Sequence, residues 1–181
     1  MLYYIVGLLD SESYSSIENI QRYLSDKYNL YTDLPTLHLT LEIIEDPYDI
    51  VKLSAVISNI VKEYKPFSIK IDGALCFDSP FKSVNLKVEN QGILKELIYK
   101  LNSTLKQNGF NVRENLELWD THISLANTNF SLRNWSNDEY EEACLLALKD
   151  NFHKLSIITK VELWKPINNK SEMVISSFQL K

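Results

Sequence analysis

A chain of 181 residues with 45% hydrophobic content can fill the core of one compact domain spanning residues 1–181 and is too apolar to be disordered or fibrous. Its net charge of -5, with no dense Lys/Arg run, argues against long duplex nucleic acid as a partner and fits small phosphorylated substrates or RNA ends better. The opening apolar stretch Met1 to Leu9 lacks a basic start and stops at Asp10, so neither a signal peptide nor a membrane partner is expected, and a cytoplasmic monomer is the default.

Tyr3 to Leu9 reads as a strand, and Ser15-x-x-Glu18 as a capping box opening a helix with Ile17, Ile20, Leu24 and Tyr28 on one face. A strand carrying His38 follows. Asp46 with Pro47 offers a helix start, and Ile50, Leu53, Ile57, Ile60 and Tyr64 recur at helical spacing. Phe67 to Phe77 and Ser83 to Val88 read as strands. Leu94, Leu97, Leu101 and Leu105 mark the next helix, which Asn108-Gly109 would stop. A second histidine strand carries His122. Ser136-x-x-Glu139 opens a helix through about Asn151, and Leu155 to Trp164 and Met173 to Leu180 close the chain as strands. Cys76 and Cys144 have no metal-ligand spacing and are expected as two buried thiols. His153 is expected to sit at a helix end, stabilised by the dipole.

Two of the three histidines occur in the same phrase, His38-Leu39-Thr40 and His122-Ile123-Ser124. Alternation along a strand puts Leu37, Leu39, Leu41 and Ile43 on one face and His38, Thr40 and Glu42 on the other. Likewise Thr121, Ile123 and Leu125 oppose His122, Ser124 and Ala126, and this parity turns Trp119 to the core, away from His122. With 18 Ser and 7 Thr in the chain, chance would supply the paired hydroxyls in roughly 6 per cent of cases. The signal gains from its setting, since both phrases lie on strands, 84 residues apart, at matching places in two halves of similar element order. The expected fold is α+β: a bilobal pseudo-twofold duplication with a lobe boundary near residues 80–90, antiparallel sheets flanking a central cleft, and helices outside.

His38-Leu39-Thr40-Leu41 and His122-Ile123-Ser124-Leu125, with their strand context and separation, resemble the two-histidine (2H) phosphoesterase superfamily and its 2'-5' RNA ligase or LigT-like group. The resemblance implies metal-independent cleavage of a 2',3'-cyclic phosphate or a related 2'-linked phosphodiester. It makes His38 and His122 the catalytic pair and Thr40 and Ser124 phosphate ligands, with no cofactor and no metal. Leu37 and Thr121 stand where many members have Pro, Ser124 replaces the commoner Thr, and Asn127 stands where tRNA-ligase-like members often carry a basic residue.

The chemistry also follows from the side chains alone. A neutral imidazole can take a proton from water while a protonated one gives a proton to a leaving ribose oxygen. Hydroxyls two residues on would donate to the non-bridging oxygens of the phosphate. Asn85 is a further substrate-binding candidate, and Lys82, Lys87, Arg113 and Lys165 could form a local basic patch. Two other classes stand beside this reading: a nucleotide- or RNA-end-binding module with little or no turnover, and a metal-dependent hydrolase drawing on Glu42 or Asp120.

Overall fold

Apolar stripes at helical spacing seat four helices against an antiparallel sheet in the computed structural model, which describes residues 1–150 and 152–181. In chain order the elements are β1 (Leu2–Leu9), α1 (Ser11–Tyr28), β2 (Leu39–Glu45), α2 (Ile50–Val61), β3 (Phe67–Phe77), β4 (Ser83–Val88), α3 (Gly92–Gln107), β5 (Asn111–Val112), β6 (His122–Asn127), α4 (Asn137–Asp150), β7 (His153–Trp164) and β8 (Val174–Gln179). The core takes Ile17 and Leu24 from α1, Leu53 and Ile57 from α2, and Leu97 and Leu101 from α3, each at most 1% exposed. Each such side chain contributes about 1.5–3 kcal/mol by leaving water.

The strand pairings run in a closed circuit, β1-β2-β6-β4-β3-β7 and back to β1, with β5 attached to β2 and β8 to β7. A pseudo-twofold relation organises it. β1 pairs with β2 as β4 pairs with β6, and the two histidine strands meet each other at a single pair, Leu39 with Ile123. Those two residues are equivalent members of the two histidine phrases, so the local axis passes between them.

The duplication extends to a defect. Between β1 and β2 the register jumps from Val6–Thr40 to Ile5–Glu42, leaving Leu41 as the extra residue of a bulge. Between β4 and β6 it jumps from Asn85–Ser124 to Val84–Ala126, leaving Leu125 in the same role 84 residues later. A bulge puts two residues against one and reverses the alternation beyond it. Strict parity therefore fails after Leu41: Glu42 is buried instead of sharing the face of His38, and Ile43 reaches the cleft instead of the core. Asn127 is the counterpart of Ile43 and lines the same cleft.

At the helix starts, competing caps are resolved by position. Ser136 and Glu139 form the expected reciprocal box, Ser136 N–H donating to Glu139 Oε2 at 2.7 Å and Glu139 N–H to Ser136 Oγ at 3.2 Å. α1 instead starts one turn before Ser15: Asp10 is its cap, with Oδ1 accepting from Ser13 N–H at 2.9 Å, and Ser15 bonds back to the Ser11 carbonyl. At α2 the cap is Asp49, which accepts from Lys52 N–H at 2.9 Å, while Asp46 lies outside the helix with φ 42 and meets the N-terminal amine. In both cases the carboxylate adjoining the first helical residue wins. Asn108-Gly109 ends α3 as expected, Gly109 taking φ 85, which favours glycine. The expected end of α4 at Asn151 lies outside the described residues.

Two residue readings are corrected. Cys76 of β3 and Cys144 of α4 form a disulfide with Cα atoms 6.2 Å apart, where the sequence predicts two thiols. The chain brings them together because α4 packs across β3, a contact of 68-residue separation that no local pattern encodes. His153 is not a helix-end residue: it opens β7 opposite Asp72, and its Nδ1 lies 2.8 Å from Asp72 Oδ1.

Candidate active site

His38 sits one residue before β2 and His122 opens β6, and the antiparallel Leu39–Ile123 pair brings the two phrases together so that both imidazoles line one cleft. The buried neighbours Leu37, Leu39, Thr121 and Ile123 anchor the backbone on either side of the rings. Thr121 adds polar pins: its hydroxyl donates to the Val88 carbonyl at 2.7 Å, and Val88 N–H donates to the Thr121 carbonyl at 2.9 Å. On the other side, Gln21 Nε2 donates to the Pro35 carbonyl at 3.0 Å and steadies the approach to His38.

Both rings are oriented by the same device. His38 Nδ1 lies 2.8 Å from the Thr36 carbonyl and His122 Nδ1 lies 2.7 Å from the Asp120 carbonyl. A carbonyl only accepts, so each Nδ1 carries the proton and each Nε2 is the proton-exchanging atom. Burial lowers both histidine pKa values from 6.5, opposed by these carbonyl bonds. A charge on His122 lowers that of His38 further.

An aromatic ring closes on each imidazole. Trp164 at the end of β7 meets His38 edge-on at 4.7 Å between centroids, and Phe77 at the end of β3 meets His122 edge-on at 5.1 Å. Trp164 is held by donation from Nε1 to Glu162 Oε2 at 2.7 Å. Trp119, expected in the core, stands 5.9 Å from the His122 ring and lines the cleft. Its position follows a turn at Leu116–Leu118, so strand parity does not reach it.

The cleft, about 820 Å³, also takes in Thr40, Ser124, Asn127 and Lys165. Ser124 Oγ accepts from Asn127 Nδ2 at 2.8 Å. Asn85 forms part of the wall, yet it is fully buried; its Nδ2 donates to the Leu75 carbonyl at 3.0 Å and to Ser83 Oγ at 3.1 Å. Of the four basic candidates, only Lys165 lines the cleft. Half-buried Lys82 and exposed Lys87 both stand outside its lining. Arg113 serves the structure: its Nε donates to buried Glu42 at 2.7 Å, and its guanidinium lies 4.1 Å from the Trp119 ring centroid. Glu42 also accepts from Asn102 and so stands apart from the histidines as half of an internal ion pair. Among the described residues no cluster of three or more His, Cys, Asp or Glu has metal-binding geometry. No described helix is long and apolar enough to cross a membrane.

The residues that sequence reasoning overlooked are the ring partners Trp164 and Phe77, together with Tyr31 and the role of Asn127. Only Asn127 left a trace, at a fixed step after the Ser124 hydroxyl. The others arrive from distant strands and loops.

Two pseudo-equivalent strands, each presenting an oriented histidine and a hydroxyl two residues on, define this chain as a 2H phosphoesterase. It belongs to the AKAP7 2'5' RNA ligase-like domain family, whose sequence model matches residues 11–171. That membership supports activity of the phosphodiesterase type. The fold is similar to TT0787 of Thermus thermophilus, with a TM-score of 0.67 at 15% identity over 99% of this chain and 98% of that one. It is also similar to E. coli LigT complexed with 3'-AMP, at 0.60 and 15% over 99% and 97%. LigT complexed with NADP+ scores 0.58 at 17% identity over 98% and 96%. A comparison with curated protein sequences finds no match.

Proposed function

We propose that the chain hydrolyses a 2',3'-cyclic phosphate, or a related 2'-linked phosphodiester, at an RNA end or in a small nucleotide. The observation that carries this is the paired imidazoles, each fixed through Nδ1 to a carbonyl and neither bonded at Nε2 by any described residue. One neutral Nε2 takes a proton from water as the water oxygen bonds to phosphorus. The other, protonated, delivers its proton to the ribose oxygen as the P–O bond breaks, leaving a phosphomonoester. Thr40 and Ser124 donate to the non-bridging oxygens, where charge accumulates. The nucleotides named for the LigT structures and a cleft whose lining among the described residues holds one lysine, Lys165, and no arginine are in keeping with a small substrate. Which histidine begins as base depends on how the substrate lies.

The test is hydrolysis of a panel of nucleoside 2',3'-cyclic phosphates and 2'-5' dinucleotides in EDTA, comparing the native chain with His38→Ala and His122→Ala. Chelator-resistant turnover lost in both variants is expected. Binding without turnover would shift the assignment to a nucleotide-binding module, and turnover silenced by EDTA would shift it to a metal-dependent hydrolase.

A further inference from the structure

We infer that Asn127 is a positioning residue that turns the Ser124 hydroxyl proton toward the substrate phosphate; this rests on the phosphodiesterase reading and refines its phosphate site. The Asn127 amide has one orientation consistent with its neighbours. Oδ1 accepts from Asn129 N–H at 2.7 Å, so Nδ2 is the end that faces Ser124 Oγ, at 2.8 Å. A serine oxygen that already accepts from an amide directs its own proton elsewhere, and none of the described residues accepts it. The open direction is the cleft, which both residues line.

The frame behind this contact is rigid. Tyr31 Oη donates to the Asn127 carbonyl at 2.6 Å and accepts from Asn127 N–H at 2.8 Å, locking the backbone at the end of β6. Leu132 N–H donates to the Leu30 carbonyl at 2.6 Å and ties the following loop to the same segment. The first half lacks the device, because Ile43 occupies the equivalent position and offers no donor to Thr40. The two hydroxyls are therefore unequal: Ser124 has its proton direction set before substrate arrives, and Thr40 does not.

A mutant cycle on the intact chain tests this, reading kcat and KM for the best cyclic phosphate and, by calorimetry, the affinity for adenosine 3'-monophosphate. Asn127→Ala keeps the backbone bonds to Tyr31, and its thermal midpoint checks the fold. It is expected to lower kcat/KM about 3- to 10-fold, with Ser124→Ala/Asn127→Ala no worse than Ser124→Ala alone. Asn127→Asp, whose carboxylate draws the Ser124 proton to itself, is expected to lose at least as much as Ser124→Ala. Multiplying losses, or an unaffected Asn127→Ala, would overturn the inference. If the native chain hydrolyses nothing, the phosphodiesterase reading fails on its own. The same cycle read in nucleotide affinity then decides whether Ser124 and Asn127 act as a unit, and a chain with neither turnover nor binding overturns that too.

Discussion

At the residue scale, the two imidazoles carry the chemistry, and their environment fixes its pH dependence. Removing either is expected to cost about 10²- to 10⁴-fold in kcat, the contribution of a general acid or base, with binding of adenosine 3'-monophosphate retained. Burial lowers both pKa values below 6.5, so the free enzyme loses its protonated acid early as pH rises. The kcat/KM profile is expected to peak on the acid side of 6.5 and decline through neutrality; a maximum above pH 7 would contradict it. The same shifts act on stability. Below pH 6.5 the unfolded chain binds more protons at these histidines than the folded one. Their contribution is thus complete above 6.5 and is lost as pH falls through the lowered folded values, which urea melts at pH 7 and pH 5 would reveal. These two residues were legible in the sequence because a strand places i and i+2 together. Trp164 and Phe77 were not, since what brings each to its imidazole is pairing between strands far apart in the chain.

At the scale of elements, the informative failures cluster at departures from ideal periodicity. Leu41 and Leu125 look like ordinary core positions, but as bulge residues they send Glu42 inward and bring Ile43 and Asn127 to the cleft. Glu42 therefore reads as a cleft carboxylate in sequence and turns out to be a buried anchor holding Arg113, Asn102 and the Ile43 amide. Glu42→Ala strands the largely buried Arg113 charge and is expected to cost about 3–5 kcal/mol in urea unfolding. Loosening Arg113 would also loosen the Trp119 wall beside His122, so the protein that remains folded should turn over more slowly as well. The capping box at Ser136 and the stop at Asn108-Gly109 were readable because both are local. Asp10 and Asp49 each competed with another capping residue close by in sequence, and only the seated helix shows which one won.

For the whole molecule, the disulfide and the closed strand circuit decide how stability is distributed. Cys76–Cys144 spans 68 residues, and closing a loop of that size restrains the unfolded chain, so reduction or Cys144→Ser is expected to lower stability by about 2–4 kcal/mol in urea melts with and without reductant. The element order and the pseudo-repeat were visible in advance, because each half repeats the same alternation of stripes and strands. The closure was not, since β1 with β7 and β3 with β7 are pairings between chain segments from opposite halves. Around the circuit, most strand neighbours share five or six paired residues, whereas β2 and β6 share one. The ladder is thus thinnest beneath the catalytic pair. In native-state hydrogen exchange, the backbone amides that bond across between β2 and β6 should open at a lower free energy than those of β7, giving the protein a seam that can breathe around a substrate while the rest of the sheet stays shut.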